Sequence, residues 1–184
     1  FRLPLARRGE RAGGEWGRYP RPAGKTNNNT DRETRMTQAT PATAGALSHL
    51  KVLDLSRVLA GPWCTQMLAD LGADVVKVEK PGEGDDTRHW GPPWLKDDQG
   101  RETSEAAYYL CANRNKKSVA IDLKSAEGQA LIHRLLEHCD ILIENFKVGD
   151  MAKYNLSYED LKYDFPRLIY CSITGFGQTG PYAP

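Results

Sequence analysis

From Lys51 onward the chain alternates short apolar runs with stretches of helical spacing. Lys51–Leu55 reads as a buried strand, and the loop Ser56–Ala60 follows it. Gly61 and Pro62 open a helix that runs to Leu71, and Gly72 suits the left-handed residue past its end. On that helix Trp63, Met67, Leu68 and Leu71 share one side at helical spacing. Asp74–Glu79 is the second strand. Strand, loop, helix and strand within about thirty residues make one unit, which crosses over right-handed to give a parallel pair.

The alternation continues downstream. Pro81–Arg101 is too rich in Gly, Pro and Asp for regular structure and reads as a long loop, a kind that is usually functional. Ser104–Ala112 reads as a short helix and Ser118–Leu123 as the third strand. Ser125 caps a helix reaching about His138, with Leu131, Ile132, Leu135 and Leu136 toward the core. Ile141–Glu144 is the fourth strand. Ser157–Asp160 resembles a capping box, opening a helix that ends before Pro166, and Leu168–Ile173 is the fifth strand. The fold class is therefore α/β, an open parallel sheet with helices between its strands. Ligands of such a sheet bind outside the carboxyl ends of the strands, here the Ser56–Ala60 loop and the residues from Glu79 onward.

Residues 1–48 follow no such pattern. They are rich in Arg, Gly, Pro, Asn and Thr, a composition that buries too little apolar surface to order itself. They read as a disordered or non-native leader, with Met36 the natural start; residues 49–184 are the folded part. An organellar transit peptide is the rival, opposed by Glu10, Glu15, Asp31 and Glu33, so the expected location is cytoplasmic with mitochondrial as the alternative.

The net charge of +1 gives no field for nucleic acid or membrane, and no apolar run approaches the ~20 residues of a membrane span. Cys64, Cys111, Cys139 and Cys171 are widely spaced and read as reduced thiols in apolar or half-buried surroundings. His49, His89, His133 and His138 lack metal-ligand spacing, so no metal site is expected. Gly175, Gly177 and Gly180 match a dinucleotide fingerprint literally, but Pro181 and Pro184 deny them the helix that would hold a pyrophosphate; a tight glycine turn is the better reading. Asp85 and Asp86 could be an acid–base pair, although adjacent acids in a Gly-rich loop are more often solvated. Asn113–Lys117 reads as a solvated turn. More telling are Lys80, Lys124, Asn145 and Phe146, each just past a strand end, with Lys153 close behind. A parallel sheet gathers such positions along one edge, and ammonium groups beside an amide and a ring suit a ligand with phosphates and a planar base.

Four ordered blocks carry a resemblance: LDLSRVLAGPWCTQMLADLGADVVKVEKPGEGDDTR, NRNKKSVAIDLK, DILIENFKVG and IYCSITGFGQTGPYA. Over residues 47–184 the chain resembles the N-terminal part of class III CoA-transferases, the formyl-CoA transferase/carnitine CoA-transferase family. DDTRHWGPP and NRNKKS are most similar to the branch containing succinate–hydroxymethylglutarate CoA-transferase. The resemblance implies a Rossmann-like large domain, an interlocked homodimer, and acyl-CoA and carboxylic acid substrates. It implies no prosthetic group, coenzyme A being a substrate. An aspartate attacks the thioester and passes through an aspartyl-CoA thioester. In the family that aspartate lies downstream of the GQTGP block, so no catalytic residue is expected in this chain. Carried over, Val58, Leu59 and Ala60 line the CoA site through backbone, and Lys80 faces a CoA phosphate where the family often has Arg. Ile121 and Lys124 border the adenosine side, Asn145 and Phe146 contact the CoA chain, and Lys153 stands where some members have Arg. The α-methylacyl-CoA racemases share this architecture, and a noncatalytic CoA-binding fragment is a further alternative.

Overall fold

In the computed structural model, which describes residues 45–183, the first strand–helix–strand unit forms as its pattern requires. β1 (Lys51–Asp54) leads into α1 (Ala60–Asp70), and β2 (Asp74–Glu79) pairs parallel with β1. β5 (Lys117–Ala120) extends the sheet beyond β2, whereas β6 (Ile141–Glu144) pairs with the opposite side of β1 and β7 (Ile169–Ser172) with β6, all parallel. The sheet order β5-β2-β1-β6-β7 reverses direction between β1 and β6. A doubly wound sheet opens its crevice at that reversal, because the connections on either side leave toward opposite faces. Most of the expected leader, residues 1–44, lies outside the described residues; Leu47, inside them, donates its N–H to Leu71 O at 3.0 Å and packs against the core.

Both faces of the sheet are covered, which is why the strands are nearly continuous apolar runs. On one face Leu53, Leu142 and Val78 pack against Ile132 and Leu136 of α3 (Ala126–Leu136), with Met151, Leu156 and Leu161 beside them. On the other, Val52, Val75 and Ile143 pack against Ala69 of α1 and Ala73. Ser125 caps α3 by accepting the Gly128 N–H at 2.9 Å. Ser157 and Asp160 complete the capping box that opens α4 (Tyr158–Leu161).

Several local readings are corrected. Pro81–Arg101 is not wholly irregular: it holds a 3-10 turn, Asp86–His89, and β3 (Trp94–Lys96). Its partner β4 (Glu102–Ala106) occupies the start of the expected Ser104–Ala112 helix, and α2 begins only at Ala107 (Ala107–Asn113). The hairpin closes on Asp97, whose carboxylate accepts the Gln99 and Arg101 N–H groups, each at 2.9 Å. Pairing across a turn thus overrides local helix preference. Of the apolar side of α1, Trp63, Met67 and, just past the helix, Leu71 are exposed; Leu68 packs against the core, and Gly61, Thr65, Gln66 and Ala69 are buried. Leu131 of α3 is likewise exposed, and so is Cys111, unlike the three half-buried cysteines.

Candidate functional site

The carboxyl rim of the sheet is built on buried charges. Asp54 ends β1 fully buried, because it accepts from the Ser56 N–H and hydroxyl, from the Thr65 hydroxyl at 2.5 Å and from Lys116 Nζ at 3.0 Å. Lys77, central in β2, donates to Ser56 O at 2.8 Å and pairs with Asp85 at 2.9 Å, both side chains 1 % exposed. Asp85 also accepts the Val58 N–H at 3.1 Å and the Thr87 N–H and hydroxyl at 3.0 and 2.7 Å. Burial opposes the Asp85 carboxylate, but Lys77 and Thr87 together hold it below the usual carboxylate range. Burial pushes Lys116 downward, against the attraction of Asp54.

Glu79 ends β2 beside this pair. It accepts from Arg88 Nε at 2.7 Å, from Tyr109 Oη at 2.9 Å, from Ser118 Oγ at 2.5 Å and from the Asp85 N–H at 2.8 Å. Burial alone would raise its pKa; the Arg88, Ser118, Asp85 and Tyr109 hydrogen bonds outweigh that and hold it at about 2. Tyr109 is pushed up by burial and by Glu79.

Over this base lies a cleft of about 540 Å³. Leu55, Val78, Ile121 and Phe146 contribute apolar walls, and Arg57, Lys80 and Lys124 contribute cations. Phe146 stands edge-on to Tyr154, which also lines the cleft, at 6.1 Å between centroids. Lys80 holds Glu83 at 2.7 Å and Arg57 holds Asp86 at 2.5 Å, so two of the cations are paired with exposed carboxylates. Apolar walls under a cationic mouth suit a long ligand that carries both phosphates and apolar or planar parts.

Of the expected site residues, Lys80, Ile121, Lys124 and Phe146 share this cleft. Asn145 is adjacent, but its amide is spent on the loop: Oδ1 accepts the Arg57 N–H and Nδ2 donates to Arg57 O, each at 2.8 Å. Val58 lies in that loop with φ +66°, its N–H turned to Asp85. Leu59 precedes α1 and its carbonyl accepts the Trp63 N–H at 2.8 Å; Ala60 opens the helix. Lys153 pairs with Asp150 at 2.6 Å, one residue before Tyr154, and does not line the cleft.

Two expectations of solvated charge are overturned. Asp85 is buried in an ion pair, whereas its neighbour Asp86 is exposed. The Lys116 side chain, in the supposed solvated turn, is 2 % exposed and donates to Asp54, Pro62 O and Asn113. Sequence reasoning missed Asp54, Lys77, Glu79 and Arg88 as well. For Asp54, Lys77 and Glu79 the signal was present: a charge inside an apolar strand of a sheet covered on both faces must find a buried partner. Arg88, in the 3-10 turn, carried no such mark. The glycines at 175, 177 and 180 lie in exposed bends, with φ +85° at Gly177 and +103° at Gly180, and no helix follows them among the described residues. Among the described residues no helix is long and apolar enough to cross a membrane, and no group of three or more ligating side chains could hold a metal ion.

Comparison with known proteins agrees with this architecture. A family model described as CoA-transferase family III matches residues 47–184. The succinate–glutarate CoA-transferase of Agrobacterium fabrum is 60 % identical over 137 residues, 74 % of this chain and 34 % of that protein. The human succinyl-CoA:glutarate CoA-transferase is 51 % identical over 135 residues, 73 % of this chain and 29 % of that protein. The crystal structure of a CAIB/BAIF family protein from Brucella suis superposes with a TM-score of 0.70 at 55 % identity, covering 76 % of this chain and 36 % of that one. The chain thus spans about a third of the length of the curated relatives it matches, 34 % and 29 % for these two.

Proposed function

We propose a function that starts from membership: this chain belongs to CoA-transferase family III. It is the coenzyme A-binding part of an enzyme that moves CoA from a short acyl-CoA, succinyl-CoA in this reading, to a dicarboxylic acid such as glutarate. The carrying observation is the convergence of Lys80, Lys124, Ile121 and Phe146 in one cleft at the carboxyl rim. Lys80 and Lys124 take the phosphates, as mobile point charges rather than guanidinium forks. Ile121 and Phe146 take the adenine and the upper pantetheine arm. The names and likeness of the Agrobacterium and human relatives support the choice of succinyl and glutaryl groups.

The reaction needs a carboxylate that can reach the thioester and form an anhydride with its acyl group. The acids around this cleft are poorly suited. Asp54 and Asp85 are buried under several donors each, and Asp86 is tied to Arg57. The nucleophilic aspartate of this proposal lies in further polypeptide. The whole enzyme is proposed to be an interlocked homodimer, to be checked by light scattering. The four free cysteines suit a reducing compartment: the cytoplasm in this proposal, the mitochondrion as its alternative.

Incubating the full-length protein with succinyl-CoA and glutarate tests the reading. Glutaryl-CoA and succinate are the expected products. Exchange of a substrate α-proton with solvent, without CoA transfer, would instead support a racemase. CoA binding with neither reaction would support a noncatalytic module.

A further inference from the structure

The loop joining β1 to α1 is held by side chains. Ser56 gives its N–H to Asp54 at 3.0 Å and its carbonyl to Lys77 at 2.8 Å. Arg57 gives both backbone groups to Asn145, at 2.8 Å each, and Val58 gives its N–H to Asp85 at 3.1 Å. Five successive backbone groups therefore meet partners drawn from β1, β2, the residue after β6 and the loop after β2. At the end of this run Val58 sits at φ +66°. A β-branched residue almost never adopts that conformation, so the surroundings must impose it. Asp85 is the group that fixes Val58 itself, and its charge is balanced on the buried side by Lys77 at 2.9 Å.

We propose that Asp85 is a positioning residue for coenzyme A: with Lys77 it clamps Val58 in the left-handed conformation and so sets the Arg57 wall of the cleft. The inference rests on the coenzyme A reading of the cleft. Asp85 borders the cleft, yet its side chain is 1 % exposed, so it acts through the loop and not by contact with ligand.

The test uses the full-length protein and two independent readouts. Hydrogen–deuterium exchange of the 56–60 segment, without ligand, reads the clamp; calorimetric titration with coenzyme A reads its consequence. Asp85→Asn keeps the size and removes the charge. The expected result is at least tenfold faster exchange at Val58 and at least tenfold weaker CoA binding. Val58→Gly in the Asp85→Asn background should recover much of that affinity, because glycine adopts positive φ without strain. A purely structural role for Asp85 predicts no such rescue. Should Asp85→Asn fail to fold, Lys77→Met with Asp85→Asn removes both charges together and is read in the same way.

Unchanged exchange in the folded variant overturns the clamp, whatever CoA does. Faster exchange with unchanged CoA affinity, in a protein whose affinity does fall on Lys80→Ala, overturns the positioning role while leaving the cleft assignment intact. A wild-type protein that binds no CoA removes the cleft assignment and the positioning role with it, and the exchange data then decide the clamp alone.

Discussion

Lys80 stands at the mouth of the cleft already holding a carboxylate: both Glu83 oxygens lie 2.7 Å from its ammonium. In the proposed site a CoA phosphate would compete with Glu83 for it. Lys80→Ala should weaken coenzyme A binding by about 1–3 kcal/mol, the range for a charge-assisted hydrogen bond. Glu83→Gln should strengthen binding a few-fold by removing the competitor, and both changes are read by titration calorimetry. An unaffected Lys80→Ala protein would remove Lys80 from the site. Glu79 makes a second prediction. Its carboxyl sits at about 2 in the folded chain against an ordinary 4.5. A depressed pKa contributes stability that is fully present above pH 4.5 and lost as pH falls toward 2, about 3 kcal/mol in all. Urea unfolding between pH 6 and pH 2 should show that loss, and Glu79→Gln should flatten it while lowering stability at neutral pH. At this scale the gathering of Lys80 and Lys124 in one cleft was legible because they follow strand ends. Asp54, Lys77 and Glu79 were not, because apolar neighbours made them read as strand and hid the question of what each charge pairs with.

At the scale of elements, the positions of β1, α1, β2, α3, β6 and β7 follow from apolar runs, caps and punctuating glycines. The orientation of α1 does not. Its outward face carries Trp63 and Met67, and its inward face is small and polar. The reason is the rim beneath it. Thr65 reaches Asp54 at 2.5 Å, Gln66 accepts the Arg114 N–H at 3.0 Å, and a side chain on Gly61 would run into Ser56. A helix whose first turns rest on a charged network keeps Trp63 and Met67 outward, and only Leu68 among its large apolar residues packs against the core. Ala69→Leu, on the buried face, should therefore destabilise the protein by about 1–3 kcal/mol through overpacking. Thr65→Val should also destabilise, by removing a buried donor to Asp54. Thermal unfolding checks both, and a neutral Ala69→Leu would mean that the inward face is not close-packed. The β3–β4 hairpin escaped the sequence for a different reason: strand pairing across a turn is non-local, and only the Asp97 turn marked it.

At the scale of the molecule, the cleft and the chemistry separate. The net charge is +1, so attraction for a polyanionic substrate has to be local, from the few cations at the rim rather than from the whole surface. The alternation of elements implied a parallel sheet with its ligand edge at the carboxyl ends, but not the strand order, whose reversal between β1 and β6 only the structure gives. The proposed function puts the reacting carboxylate outside this chain, which spans 34 % of the Agrobacterium relative; at the rim itself Asp54 and Asp85 are consumed in holding the loop. Binding and turnover should therefore come apart. The 184-residue chain, where it folds, should take up coenzyme A in a Lys80-dependent manner and yet form no glutaryl-CoA from succinyl-CoA and glutarate, while the full-length protein does both. Turnover by the 184-residue chain would place the nucleophile among its own carboxylates and force Glu83, Asp86 and Asp122, exposed acids lining the cleft, back into consideration. Absence of CoA binding by a folded chain would instead mean that the cleft is completed by polypeptide from elsewhere.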